Sequence, residues 1–358
     1  MLKEIGSNFW LPTGEKRQTS IDSSFFNVAY SDSVFTASGR SAISLILSEI
    51  TTDSKSVLLP SFTCESVIEP FLKQRYQISY YSVDKNLNID IEKFIEEVRT
   101  SNPSVILIHN YFGFNTTEAI RECIKQLRNN GIVIIEDITQ TLYSSFTRLE
   151  ADYYVGSFRK WDGLPDGGFA LRVSGKFGAK PENEDKQLVE AKLQAMNAKY
   201  DYLFHGIGDK SVFLKMYADA EEILETQSKL YKMSDTSYTI QANLNLELLK
   251  RRRRENYQFL LNNLNTAKIK PLITHLPDNI TPLFFPILCN VPTRASLQVR
   301  LRNNHIYAPI IWPKCDWISC DSGSSDLFYQ DLLCIPIDQR YDTDDMHRIV
   351  DVCNTWQG

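Results

Sequence analysis

Four short segments of this sequence hold residue types that do chemistry, each at the edge of an apolar run. In the first, Ala37-Ser38-Gly39-Arg40-Ser41-Ala42, small residues stand directly before a helical pattern. A helix N-terminus offers unpaired N–H groups and a partial positive charge, so it suits a phosphate; a plain capping turn would carry the same residues. The second is Ile135-Glu136-Asp137-Ile138-Thr139-Gln140, where an apolar run meets an acid. A carboxylate at a strand end can keep a heteroaromatic nitrogen protonated, because opposite charge stabilises the charged form; a helix cap is the plainer reading. In the third, Lys160 lies between Arg159 and Trp161, after Ser157-Phe158 and before Pro165-Asp166-Gly167-Gly168. An amine among aromatic and cationic neighbours can have its pKa lowered and act as a nucleophile, although a lone lysine is also an ordinary surface charge. The fourth, Leu59-Pro60-Ser61-Phe62-Thr63-Cys64, is a loop after a strand that can lie over a flat ligand or simply pack.

The elements that must position these residues alternate through the first half. Residues 41–49, 67–74, 89–99 and 117–128 have helical spacing, while 57–59 (ending at Pro60), 78–83, 105–108 and 132–135 are short apolar runs. This alternation predicts an α/β fold with a mainly parallel sheet between helices. Ligands collect beyond the carboxyl ends of such strands, which singles out His109-Asn110 and Glu136-Asp137. Residues 176–235 are rich in Lys, Glu, Gln and Ala and predict a helical insertion. One long helix is expected over 243–265; its run Lys250 to Arg254 reads as a solvated face, since no aromatic interleaves it. Strands at 282–288 and 332–337 with helices at 293–303 and 344–355 predict a smaller C-terminal α/β domain. The expected division is therefore a large domain over 1–242, including the insertion, and a linking helix with the small domain over 243–358.

Composition narrows the function classes. Among 358 residues, 43% are hydrophobic and 23% charged, as in soluble globular proteins. Thirty-nine basic against 44 acidic side chains, a net charge of -5, argue against a nucleic-acid partner. No apolar run of about 18 residues is present to span a bilayer, and the start, with Lys3 and Glu4, lacks a signal-peptide core. The seven cysteines are scattered without a C-x-x-C pair, which predicts a reducing, cytoplasmic setting without disulfides or a metal site. The sequence contains no Walker loop, G-x-G-x-x-G, H-E-x-x-H or G-x-S-x-G, so dinucleotide, zinc-hydrolase and α/β-hydrolase chemistry lose ground.

Taken together and in order, the four segments resemble the DegT/DnrJ/EryC1/StrS family of sugar aminotransferases, which are fold-type I pyridoxal-phosphate enzymes. The resemblance is good over 34–173, weaker over 238–356 and poor across the insertion. It implies pyridoxal 5'-phosphate as cofactor, with Lys160 as the lysine that holds it and Asp137 against the pyridine nitrogen. It also implies a phosphate site at Ser38, Gly39, Arg40, Ser41 and Ser157, and ring or substrate contacts at Cys64 and Gln140; Asn110, after its strand, is a further cofactor-contact candidate. The serine-to-lysine spacing is two residues shorter here than is usual in the family, and Cys64 stands where an aromatic is common. An amino-acid donor (glutamate or glutamine), a nucleotide-linked keto-sugar acceptor and a homodimer are the partners implied, in surface-glycan or secondary-metabolite biosynthesis. Two alternatives stay open: other pyridoxal-phosphate chemistry, such as a lyase or a desulfurase using Cys315 or Cys320, and a non-catalytic relative that keeps the fold.

Overall fold

The structure, a computed structural model, describes residues 4–11, 21, 25–52, 54–267, 269–318 and 325–357. Two compact units are present, one formed by residues 1–7, 52–151 and 245–358, the other by 8–51 and 152–244. The junction at 244/245 lies next to the expected boundary after residue 242, and the junctions at 7/8, 51/52 and 151/152 have no counterpart in that expectation.

The first unit contains the parallel strands Gln77–Tyr81, Ser56–Pro60, Val105–His109 and Val133–Asp137, in that spatial order. All five residues of Val105–His109 are buried, as a strand covered on both faces requires. The crossover helices Glu65–Lys73, Ile91–Ser101 and Arg121–Asn129 supply that cover. Ile91–Ser101 is capped by Asp90, whose carboxylate accepts from Lys93 N–H at 2.9 Å, and buries Phe94 and Val98. The C-terminal part of the unit pairs Phe285–Leu288 with Leu332–Ile335 and with Lys270–Pro271, both antiparallel. Helices Leu246–Asn263, Val291–Asn303 and Thr343–Asn354 accompany this small sheet, so the expected C-terminal α/β arrangement is present.

The basic run on Leu246–Asn263 is not the solvated face expected of it. Arg253 is fully buried, with Nη1 donating to Leu283 O at 2.8 Å and Nε to Gln339 Oε1 at 3.0 Å. Arg254 Nη1 donates to the carbonyls of Pro277 and Ile280, each at 2.6 Å. These guanidiniums satisfy loop carbonyls that would otherwise be left without partners.

In the second unit, Gly168–Arg172 runs antiparallel to Asp32–Thr36 on one side and to Tyr153–Ser157 on the other. Helix Gly39–Glu49 starts at the end of the first of these strands and buries Ala42, Ile43, Leu45, Ile46 and Leu47. Phe26, Phe158 and Phe169 form an aromatic core, with ring centroids 4.7 Å (Phe26–Phe169) and 4.9 Å (Phe158–Phe169) apart. The expected insertion is a pair of helices, Lys186–Tyr200 and Lys210–Glu225, sealed by Ala195, Met196, Phe213 and Tyr217.

Candidate active site

The second unit assembles three sequence-distant motifs at one helix N-terminus. Ser38 caps Gly39–Glu49: its Oγ accepts from Ser41 N–H at 3.1 Å and lies 2.9 Å from Ser41 Oγ. No acidic residue occupies the first turn, so the helix dipole there favours an anion. Gly168 sits in register with both Thr36 and Ser157. A Cβ on Gly168 would fall 2.2 Å from Ser38 C and 2.5 Å from Gly39 N, which is why this position of the Gly-Gly pair carries no side chain. A Cβ on Gly39 would lie 3.6 Å from Ser157 Cβ, so the Ser157 side chain stands beside the helix start. The Ser157 hydroxyl donates to Gly167 O at 3.2 Å.

Lys160 ends a three-residue 3-10 turn, Phe158–Lys160, directly after strand Tyr153–Ser157. Phe158 is buried and pins the turn, whereas Lys160 is exposed and its ammonium makes no hydrogen bond among the described residues. The acid of the Gly-Gly turn has a structural task. Asp166 is fully buried and accepts from Ser234 N–H at 2.9 Å, Ser234 Oγ at 2.7 Å and the Ser237 hydroxyl. Burial pushes its carboxyl above the ordinary range, against the pull of these donors. Ser234 also caps helix Asp235–Ala242. The Ser-x-x-Ser spacing is a readable cap signal, but nothing in it points to Asp166.

The first unit carries the acid expected to face a pyridine nitrogen. Asp137 closes its strand inside the sheet instead of following it, in register with His109. Its Oδ1 accepts from Thr139 N–H at 2.8 Å, and Oδ2 has no partner among the described residues. His109 is buried, with Nε2 3.0 Å from Phe62 O and 3.1 Å from Tyr111 Oη. Burial holds its pKa below the ordinary value although Asp137 pulls the other way, so a neutral ring flanks the acid. Gln140 Oε1 is taken by Phe112 N–H at 2.6 Å, leaving the amide NH2.

Asn110 departs from its expected role. Its Oδ1 accepts from Thr116 N–H at 2.7 Å and Thr117 Oγ1 at 3.1 Å, and its Nδ2 donates to Glu136 Oε1 at 3.3 Å. With 1% of its surface exposed, it latches the strand end instead of facing a ligand. The loop before Cys64 is held by Tyr329, whose hydroxyl oxygen accepts from Thr63 N–H at 2.9 Å and lies 3.1 Å from Ser61 O. Cys64 is half-buried at the start of helix Glu65–Lys73 and receives the Ser66 hydroxyl at 3.1 Å.

Strand neighbours point to opposite faces, and Glu136, beside Asp137, is fully buried. Burial pushes its carboxyl up to about 7, against Arg148 and the Leu149 N–H. The folded value exceeds the unfolded one, so the associated stability is whole below pH about 4.5 and is lost as pH rises through about 7. Urea denaturation across that window is expected to show a steeper decline for wild type than for Glu136→Gln; equal slopes would contradict it.

The described residues hold no cluster of three metal-ligating side chains and no helix long and apolar enough to cross a membrane. The six described cysteines are free. Burial pushes the Cys315 thiol up, which disfavours the thiolate a desulfurase needs; Cys320 lies outside the described residues.

The fold is shared with solved aminotransferase structures. The structure is similar to Helicobacter pylori PseC, an aminotransferase involved in the biosynthesis of pseudoaminic acid, with TM-score 0.67 and 14% identity over 99% of this chain and 100% of that one. It is similar to the aminotransferase TlmJ from Streptoalloteichus hindustanus (TM-score 0.65, 16% identity, 90% of this chain, 84% of that one). A third likeness is to NtdA from Bacillus subtilis, solved with bound pyridoxamine phosphate (TM-score 0.63, 16% identity, 90% of this chain, 72% of that one). At such identities the likeness is one of fold. No curated protein sequence matches the chain. The sequence profile of the DegT/DnrJ/EryC1/StrS aminotransferase family matches residues 2–161, the stretch that holds every expected site residue from Ser38 to Lys160. This match, over 160 of the 358 residues, agrees with the resemblance read from the motifs.

Proposed function

We propose that this enzyme transfers an amino group from glutamate or glutamine to a keto-sugar carried on a nucleotide, as a cytoplasmic homodimer, in surface-glycan or secondary-metabolite biosynthesis. The observation that carries the reading is the meeting of Ser38–Ser41, Ser157 and Gly168 at one helix start without acidic residues, one short turn from Lys160. Those donors fit a phosphate, and a strand-end acid with one oxygen unengaged fits a protonated ring nitrogen. The pyridoxal-phosphate cofactor, when bound, supplies the electron sink for the carbanion formed at the amino carbon. The N–H groups of Gly39, Arg40 and Ser41, with the hydroxyls of Ser38, Ser41 and Ser157, would bind its phosphate. Asp137 Oδ2 would keep the ring nitrogen protonated. Lys160 Nζ would hold the cofactor and its amine would move a proton at the substrate carbon. Gln140, through its amide NH2, and Cys64 would be further contacts of the ring or substrate.

The acceptor class rests on the family match, since fold does not fix substrate. Incubating the cofactor-loaded enzyme with glutamate or glutamine, without acceptor, is expected to release one of the matching 2-oxo acids and to bleach the visible band. Subsequent addition of a nucleotide-linked keto-sugar should then restore the band. Failure to produce an oxo acid from either donor would overturn the transfer reading.

A further inference from the structure

Three charged side chains far apart in sequence meet at the lysine turn. Arg159, between Phe158 and Lys160, donates from Nη2 to Glu221 Oε1 at 2.5 Å and to Oε2 at 3.0 Å. Lys192 Nζ lies 3.0 Å from Glu221 Oε2. Glu221 belongs to helix Lys210–Glu225 and Lys192 to Lys186–Tyr200, so both helices of the insertion bear on the turn.

The helical pair is a firm base for such a clamp. Its shared core is closed by Ala195, Met196, Phe213 and Tyr217, Tyr217 OH donates to Phe9 O at 2.6 Å, and Lys199 donates to Asn8 O at 2.5 Å. Lys192 is 5% exposed, its ammonium 5.9 Å from the Tyr217 ring centroid. Burial, then Arg159 and Lys160, push Lys192 down to about 8 against the pull of Glu221. Burial alone would raise Glu221, but Arg159 and Lys192 hold its carboxyl down to about 2. Lys160 therefore shares an electrostatic neighbourhood with one other amine, one guanidinium and one carboxylate. The groups acting on Lys192 are Arg159 and Lys160 from the turn and Glu221 from the facing helix, with the Tyr217 ring beside it.

We propose that Glu221 is a positioning residue for Lys160: by gripping Arg159 and Lys192 together, its carboxylate fixes the turn that presents the lysine and offsets the two cations beside it. The inference rests on Lys160 being the lysine that holds the cofactor. It assigns a task to the insertion, where the family resemblance fails, and matches it to the serine-to-lysine span, which is shorter than the family's. A three-residue turn pinned at Phe158 leaves Arg159 as the grip next to the reactive amine.

The test is the pH midpoint of the visible band of cofactor-loaded enzyme. In Glu221→Gln, two cations lose their counter-charge, a proton on the lysine–cofactor nitrogen is disfavoured, and the midpoint is expected to fall by about one unit. Lys192→Met removes a cation, so the midpoint should rise by about half a unit. Glu221→Asp restores the charge and should return most of the shift. Reaction of cofactor-free Lys160 with an amine-acylating reagent, followed by peptide mass across pH, should shift in the same opposed directions. A loss of packing alone would not produce opposite signs. If both midpoints stay put, or move the same way, the proposal is overturned. Should Glu221→Gln fail to fold, Lys192→Met and Glu221→Asp still decide it. Persistence of the visible band in Lys160→Ala would instead sink the reading of Lys160 itself, so the two failures are distinguishable.

Discussion

Lys160→Ala is expected to bind pyridoxal phosphate without the visible band of a lysine-held cofactor and to lose roughly 10,000-fold in turnover. The change should leave stability near wild type, because the side chain is exposed and makes no hydrogen bond among the described residues. Activity is lost through two separate deficits. On the proposed reading, Lys160 would hold the cofactor until the donor displaces it, and its amine would then serve as the proton carrier at the substrate carbon. Supplying the second function alone, by adding a small primary amine to the variant, should recover part of the rate. Borohydride reduction of the wild type, then peptide mapping, should place the cofactor's mass on Lys160. Label on Lys192 instead would contradict the assignment, and that lysine is the informative rival because it shares the same charge cluster. Its 5% exposure and its ion pair with Glu221 make it the less accessible amine of the two.

The parts of this molecule that were legible in the sequence are those where one local pattern decides the structure. Val105–His109 and Val133–Asp137 are buried parallel strands because their runs are almost wholly apolar. The helix expected over 41–49 was visible from its apolar spacing and begins earlier, at Gly39, because Ser38 supplies the cap. Strands Asp32–Thr36, Tyr153–Ser157 and Gly168–Arg172 carried no such signal: they mix polar, aromatic and glycine positions, and Asp32–Thr36 finds its place by pairing with residues more than a hundred positions away. The site divides along the same line. Lysine, acid and small-residue turn were found as types at strand and helix ends. The sequence reading left the partners of those side chains hidden, since Asn110 is held by Glu136, Thr116 and Thr117, and Arg159 by a glutamate 62 positions away. Arg253 shows the limit most clearly. In a run of five basic residues, nothing local distinguishes the one that will be buried against Leu283 and Gln339 from the other four.

Gly168→Ala is the second substitution with a large expected effect, and it acts through backbone packing alone. The new Cβ would sit 2.2 Å from Ser38 C, 2.4 Å from Ser38 O and 2.5 Å from Gly39 N, all main-chain atoms that cannot swing aside. Either the middle strand moves away from its partners, or the turn that starts helix Gly39–Glu49 is displaced. Overpacking of this kind costs about 3 kcal/mol or more, and the displaced turn carries the N–H groups assigned to the phosphate. Chemical denaturation should therefore show the loss of stability, and pyridoxal-phosphate titration should show weakened binding beyond what unfolding explains. Gly39→Ala is the control. Its Cβ would meet Gly156 O at 3.5 Å and Ser157 Cβ at 3.6 Å, ordinary contacts, so stability should change by under about 1 kcal/mol. Equal stability of the two variants would mean that Gly168 is not wedged against the Ser38 turn. The convergence of the phosphate-binding segments, on which the functional reading stands, would fall with it.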